Sequence, residues 1–399
     1  MILEIIIGLI LGILTGIITG LVPGIHVNLV ATTLFALSPM LLKHFDPLIL
    51  SVYIMALAVT HSFLDTIPSI YLGAPENENA LAVLPGQKML LQGEGYQAVK
   101  ITILGTYIGL ITAICLIPLF LLIASRLYPV LKPVLVYLLI ALISFMLLKE
   151  KNKFWSIFLF FISGTLGMIV FSIPNLNEPL FPMLSGLFGV SGLLISFFEN
   201  TKIVPQKITE NIDLKPKELI KAISGSSIAV FFIQFFPGLG PAQGAVIANQ
   251  LMRNLKDKAY LALIGAMGTM SVVFSLVTFY ALNKAKDGTI VVMSKLMQID
   301  LGSFLILIFV FLVAGSVALF LTLFFAKLFS RMISKVNYKM LVLSIILLVA
   351  LITFFINGFI GIIVLMTATA IGLIAPLKDI GRNHAMGCLI LPVILNFLL

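Results

Sequence analysis

The chain has 399 residues, 60% hydrophobic and only 10% charged, with a mean hydropathy of +1.18. A soluble protein carries about 25% charged residues, so this composition excludes a monomer dissolved in water. The net charge of +9 does not point to nucleic acid, because Lys and Arg gather in short stretches between apolar runs, as the positive-inside rule distributes them.

In chain order, the first apolar run covers Met1 to Val22. No basic residue precedes it and no A-x-A cleavage site follows, so it is expected to stay as a membrane segment and not to be a signal peptide. It ends in Ile18-Thr19-Gly20-Leu21-Val22-Pro23-Gly24-Ile25-His26. Seven apolar segments precede a polar stretch near the middle, at roughly 3–22, 29–43, 48–72, 99–124, 128–148, 154–172 and 183–198. A hydrocarbon core of about 30 Å needs about 18 apolar residues or more to cross.

The third segment carries Thr60-His61-Ser62-Phe63-Leu64-Asp65-Thr66 and then Pro68. His61 and Asp65 are four apart and share a helical face. An ionisable pair in an apolar segment is costly and suggests proton relay or ion coordination, with Thr66 beside it. The competing reading makes Asp65 and Thr66 caps of a helix near Pro68, with His61 bonded to a backbone carbonyl. The polar stretch Gly73 to Tyr96 follows. Within it, Glu76, Asn77 and Asn79 either belong to a solvated loop or line a vestibule.

Residues 199–218 form a Lys-rich linker, expected to be cytoplasmic and short enough to be only a connector. It divides the chain into a first repeat, 1–198, and a second, 219–399. Seven more apolar segments follow, at roughly 219–236, 242–252, 259–282, 301–326, 340–355, 357–376 and 384–398. The first of these ends in Ile233-Gln234-Phe235-Phe236-Pro237-Gly238-Leu239-Gly240-Pro241, which matches the Pro23-Gly24 stop. Likewise Ile67–Leu72 matches Leu276–Ala281. Ala74-Pro75-Glu76-Asn77-Glu78-Asn79 then matches the turn Asn283-Lys284-Ala285-Lys286-Asp287-Gly288.

Seven crossings per half, or hairpins that return in pairs, make the second half enter from the opposite side. With the linker in the cytoplasm, nineteen of the 25 Lys and Arg fall inside and six fall outside, Lys284 and Lys286 among them. Both termini are then outside. The predicted fold is an all-α polytopic membrane protein of two inverted repeats, located in the cell membrane. Inverted repeats are a signature of secondary transporters.

Proline removes a backbone donor, and glycine admits conformations barred to other residues. A helix broken in this way inside a membrane needs a cavity or ligand to satisfy its backbone. The helix that follows aims its positive amide end at the occupant. The candidate substrate-binding residues are therefore Pro23, Gly24, His26 and Asn28 in the first half. Their second-half counterparts are Pro237, Gly238, Gly240, Gln243 and Asn249. The competing reading makes each Pro-Gly an ordinary surface turn. His61, Asp65 and Thr66 are the candidates for ion coupling. The matching stretch Gly268-Thr269-Met270-Ser271 to Ser275 has hydroxyls but no charge, so coupling is expected to be asymmetric.

Cys115 and Cys388 each stand alone in apolar runs, and CxxC, P-loop and HExxH patterns are absent. Neither a disulfide framework nor a metal cluster is indicated, and no cofactor is expected beyond a coupling Na⁺ or H⁺.

These motifs resemble the large membrane subunit of the tripartite tricarboxylate transporters, the TctA-type permeases. The resemblance lies in Gly16 through Asn28, in Ala74-Pro75-Glu76-Asn77, Leu84-Pro85-Gly86-Gln87-Lys88-Met89, Gly93 and Ala98-Val99, and most closely in Pro237-Gly238-Leu239-Gly240-Pro241. His26-Val27-Asn28 and Pro85-Gly86-Gln87 depart from the family's usual small residues and Asp-Gly-Tyr, as in a remote or minimal member. The resemblance implies a permease working with a small membrane subunit and an extracytoplasmic solute-binding protein. The resulting reading is a secondary transporter of an organic anion, a carboxylate, driven by Na⁺ or H⁺ through alternating access in membrane lipid. A weaker likeness to polyprenyl-phosphate translocases makes a lipid-phosphate carrier the alternative. An intramembrane enzyme using His61 and Asp65 ranks lower, because the sequence lacks a nucleophile–base–oxyanion set.

Overall fold

The computed structural model describes residues 2–398 except 23–26, 74–82, 132, 175, 177, 199–203, 236–239, 254 and 336. Regular structure among the described residues is helical, without strands.

The first half contains α1 (Ile2–Leu21), α2 (Val27–Leu41), α3 (Pro47–Leu64) with a π-helical extension at Pro68–Leu72, α4 (Val83–Leu91), α5 (Gly95–Leu131), α6 (Leu135–Lys149), α7 (Lys153–Ser172), and α8 (Leu180–Leu184), which continues through a π-helical turn into α9 (Ser191–Phe198). The second half contains α10 (Pro216–Ile233), α11 (Pro241–Leu251), α12 (Asp257–Leu282), α13 (Gly288–Leu296), α14 (Leu301–Ile333), α15 (Tyr338–Gly372), α16 (Ile374–Leu377), a 3₁₀ turn at Arg382–Met386 and α17 (Gly387–Leu398). Several starts follow from local chemistry. Asp46 accepts from Leu48 N ahead of Pro47, Asp287 from Thr289 N, and Asp300 from Ser303 N.

Seven helical stretches among the described residues are long and apolar enough to cross a membrane: 2–21, 47–72, 95–124, 153–172, 257–282, 301–333 and 339–377. Two boundaries differ from the sequence reading. The fourth predicted segment belongs to the longer α5, which leaves α6 to begin at Leu135. The twelfth and thirteenth run on as α15 across a kink at Gly358, where φ is +62°. The uncharged Phe355-Ile356-Asn357-Gly358 corner is thus a helix break, and the Asn357 amide braces it through the backbone N–H and carbonyl of Glu178.

Glycine determines how α1 packs. Gly8, Gly12, Gly16 and Gly20 lie on one face and are buried, while Ile6, Ile10, Leu14 and Ile18 on other faces are exposed. A Cβ at Gly16 would stand 2.6 Å from that of Thr60, and one at Gly20 2.8 Å from that of Leu64. Gly8 lies against Ile49 and Gly12 against Tyr53 and Ala56, so both chains advance together and α1 runs parallel to α3. The short α2 between them must therefore return, making α1–α2 a hairpin.

The second half repeats this arrangement. Gly225 of α10 meets Met252 just beyond α11, and Gly244 of α11 meets Ile233, so α10 and α11 are antiparallel. Ser226 donates to Leu263 O and Gln234 to Ser271 O, so α10 and α12 run parallel. The segment pairs whose crossing the sequence left open are thus antiparallel helix pairs.

Four helices form the core. α3 and α12 are buried over nearly their whole lengths. α5 runs parallel to α12: Gly105 and Gly109 abut Ala262 and Ala266, and Thr269 donates to Thr106 O. α14 runs parallel to α3, with Gly315 near Val59 and Tyr71 on Ala326 and Ser330. The end of α3 meets the start of α5 where Tyr71 touches Gly95. Beside it, the Glu94 carboxylate pairs with Lys258 at the start of α12. Hence α1 and α3 point one way and α10 and α12 the other.

The linker is more than a connector. Lys207 N donates to Gly93 O, and the Gln206 carboxamide oxygen accepts from Gly95 N. Lys100 donates to the carbonyls of Thr209 and Glu210. Lys258 pairs with Asp213 and holds its carboxyl below the usual carboxylate range. These contacts lay residues 206–213 across the starts of α5 and α12.

Candidate functional site

In the sequence, a Pro-Gly pair stands between the two helices of each hairpin. Pro23 has no N–H, so the carbonyl of Thr19, four residues earlier, lacks the donor a helix would supply. Pro237 does the same to Ile233, so each carbonyl lies four residues before the proline of its own half.

Both hairpin ends lie partway along a buried helix. The last turn of α1 stops at Leu64 and Asp65, with the π-helical extension of α3 still to come. Gln234, just past α10, bonds to Ser271 near the middle of α12. At the first end, His61 Nδ1 and Thr19 Oγ1 are 3.0 Å apart. Gly20 is wedged against the carbonyl of His61 and the amide of Asp65. His61, Asp65 and Thr66 are all buried. Asp65 N closes the last turn of α3 on His61 O, and Asp65 O accepts from Ser69 N.

At the second end the side chains that α10, α11 and α12 supply are neutral. Gln234 Nε2 donates to Ser271 O at 2.9 Å and to its hydroxyl at 3.3 Å, leaving Gln234 Oε1 buried without a partner among the described residues. Gln243 folds back so that its side-chain oxygen accepts from Gly240 N at 2.8 Å, closing the α11 amino end on itself.

The turn after α12 joins the two ends. Ser275 Oγ accepts from Asp287 N at 2.9 Å, which folds residues 283–287 back along α12. Lys286 then donates its ammonium to Ile233 O. Two residues on, Gly288 sits so close to the Asn28 side chain at the start of α2 that a Cβ there would collide with it. α13 and α2 continue side by side, with Val292 packed near Ala31 and Lys295 over the Phe35 ring. Segment 286–288 thus touches Ile233 at the end of α10 and Asn28 near the start of α2.

Of the sequence candidates, Asn28, His61, Asp65, Thr66, Gly240, Gln243 and Asn249 lie among the described residues; Pro23, Gly24, His26, Glu76, Asn77, Asn79, Pro237 and Gly238 lie outside them. Asn28 joins the second half's turn, and His61 and Asp65 sit at the end of α1. Asn249 stands apart: its side-chain oxygen accepts from Leu255 N at 2.7 Å, closing the bend after α11. It also lines a cavity of about 530 Å³ with Lys88, Gln250, Arg382 and Asn383. Sequence reasoning missed Lys286, Thr19 and Gln234. Thr19 and Ile233 could have been found as the residues four before each proline; the fold-back that delivers Lys286 has no local signal.

The tripartite tricarboxylate transporter TctA family matches residues 6–387. An uncharacterized protein of Methanocaldococcus jannaschii is 31% identical over 358 residues, covering 87% of this chain and 88% of its own. No solved structure matches the chain.

Proposed function

We propose that this chain, which belongs to the tripartite tricarboxylate transporter TctA family, is the large membrane subunit of a secondary transporter that moves a carboxylate by alternating access. Family membership makes it a component of a tricarboxylate transporter. The substrate class, the coupling to Na⁺ or H⁺ and the site are our reading.

One observation carries that reading. Two hairpins whose sequences each carry a Pro-Gly pair, in halves whose leading helices run in opposite directions, are bridged by segment 286–288, which meets Asn28 of α2 and Ile233 of α10. This supports an inverted repeat with the anion between the breaks, where the amino ends of α2 and α11, Asn28 and the Lys286 region face it. Asp65 and His61 at the first break are the coupling groups, since a buried carboxylate beside a broken helix suits Na⁺ or H⁺. Rocking of one repeat against the other would expose the site alternately. The charge bias supports a cytoplasmic linker and outward termini in a cell membrane. A small membrane subunit and a solute-binding protein complete the assembly. The polyprenyl-phosphate alternative gains nothing from the family match.

The test is uptake of di- and tricarboxylates by cells expressing the chain with its partner subunits, after Ala-Ala replacement of Pro23-Gly24 or of Pro237-Gly238. Lost uptake with normal membrane insertion is expected in both. Full activity in either one overturns the site.

A further inference from the structure

We propose that the cavity between α4 and α9 binds a small organic anion with at least two negative charges, held by Arg382 and Lys88, with Asp257 as the internal competitor for Lys88. The site is separate from the two breaks, and the inference stands whether or not an anion binds between them.

The cavity has a volume of about 360 Å³. Among the described residues that line it, the charged ones are Lys88 and Arg382, both cationic. Gln87 and Gln92 add carboxamides, while Leu91 and Leu193 give an apolar wall. Two positive charges beside a hydrocarbon wall suit negative groups carried on a short carbon chain. Gln92 precedes Gly93, whose carbonyl accepts from Lys207 of the linker. The cavity therefore lies at the linker face, which is cytoplasmic in the proposed topology.

Packing leaves the guanidinium available. Arg382 Nη1 donates to Phe188 O at 3.2 Å, in the π-helical turn between α8 and α9, and no carboxylate of the described residues pairs with it. At Gly192 of α9 a Cβ would stand 3.1 Å from Nη1, so a side chain there would crowd the group. Arginine has five N–H donors. Phe188 takes one, and the rest of the fork suits a bidentate pair with an oxyanion.

Lys88 is held differently. Its ammonium pairs with Asp257, at the start of α12, at 2.6 Å, and the two side chains are 63% and 47% exposed. Water screens such a pair, so a second anion can displace Asp257. The cavity of about 530 Å³ that shares both cations also carries the Asp257 and Glu150 carboxylates, whereas no carboxylate of the described residues lines the smaller one. Like-charge repulsion directs an anion to the smaller cavity.

The experiment uses purified full-length chain with Cys115 and Cys388 replaced and Gln92→Cys introduced at an exposed position of the cavity wall. The rate of maleimide labelling is measured in succinate, in citrate, in dihexanoyl phosphatidate and in KCl, all at one ionic strength. Slower labelling in succinate or citrate than in KCl is expected. Asp257→Asn should lower the half-protecting concentration about two- to fivefold, because it frees Lys88 from an exposed pair. Lys88→Gln and Arg382→Gln should each raise it about tenfold or more, the loss of a charged hydrogen-bond partner. Protection should persist after Ala-Ala replacement of either Pro-Gly pair, which separates this site from the breaks. Protection lost in both of those variants, protection by phosphatidate alone, or none in either carboxylate overturns the proposal. So does an effect of the same sign for Asp257→Asn and Lys88→Gln. If Arg382→Gln fails to fold, the two substitutions at exposed side chains still decide the outcome.

Discussion

His61 Nδ1 stands 3.0 Å from Thr19 Oγ1, which ties the ionisable stretch of α3 to the residue whose backbone carbonyl Pro23 frees. The α1 glycines make this contact possible, since any larger residue at Gly16 or Gly20 would hold the helices apart. Helix packing, the helix break and the candidate coupling groups therefore form one local unit.

If Asp65 couples cation to substrate, Asp65→Asn should separate the two. In proteoliposomes, gradient-driven accumulation is expected to vanish while substrate exchange persists. Accumulation at the wild-type level would remove Asp65 from the mechanism.

The glycine face makes a graded prediction. At Gly8 an added Cβ comes no closer than 3.1 Å to a neighbour, whereas at Gly16 it meets Thr60 at 2.6 Å. Gly16→Ala should therefore cost about 1–3 kcal/mol, as overpacking does, with a drop in detergent melting temperature. Gly8→Ala should cost less, and Ile10→Ala, on an exposed face of α1, should be close to neutral. Equal losses at Gly8 and Gly16 would contradict the packing.

Ligand binding should be visible by the same measurement. A carboxylate at a hundred times its dissociation constant stabilises by about 2.7 kcal/mol. A melting shift with di- or tricarboxylates that grows with Na⁺ or with acid is expected. A shift with polyprenyl phosphates alone would return the alternative reading.

Orientation can be read by labelling. In a chain with Cys115 and Cys388 replaced, Lys207→Cys in the exposed linker and Lys43→Cys beyond α2 lie on opposite sides of the membrane in the proposed topology. An impermeant maleimide is expected to reach Cys at 43 in intact cells and Cys at 207 only after permeabilisation. The reverse pattern would invert the topology.

Much of this was legible in the chain itself. Apolar length marks a membrane segment wherever it is placed, because the lipid sets the requirement. Pro23 and Pro237 delete a hydrogen bond by their covalent structure, so both breaks could be placed from spacing alone. The His61–Asp65 face is likewise a local property of helical periodicity.

Direction and meeting points were not local. That α1 runs with α3, making α2 a return leg, depends on glycines of one helix fitting side chains more than forty residues away. Lys286 looked from the sequence like an outer-loop cation. Its partner Ile233 is 53 positions distant, reached only because Ser275 folds the turn back along α12. Apolar runs and prolines decided that the chain crosses a membrane and where its helices break. Only close packing between distant helices decided which break each charged side chain meets.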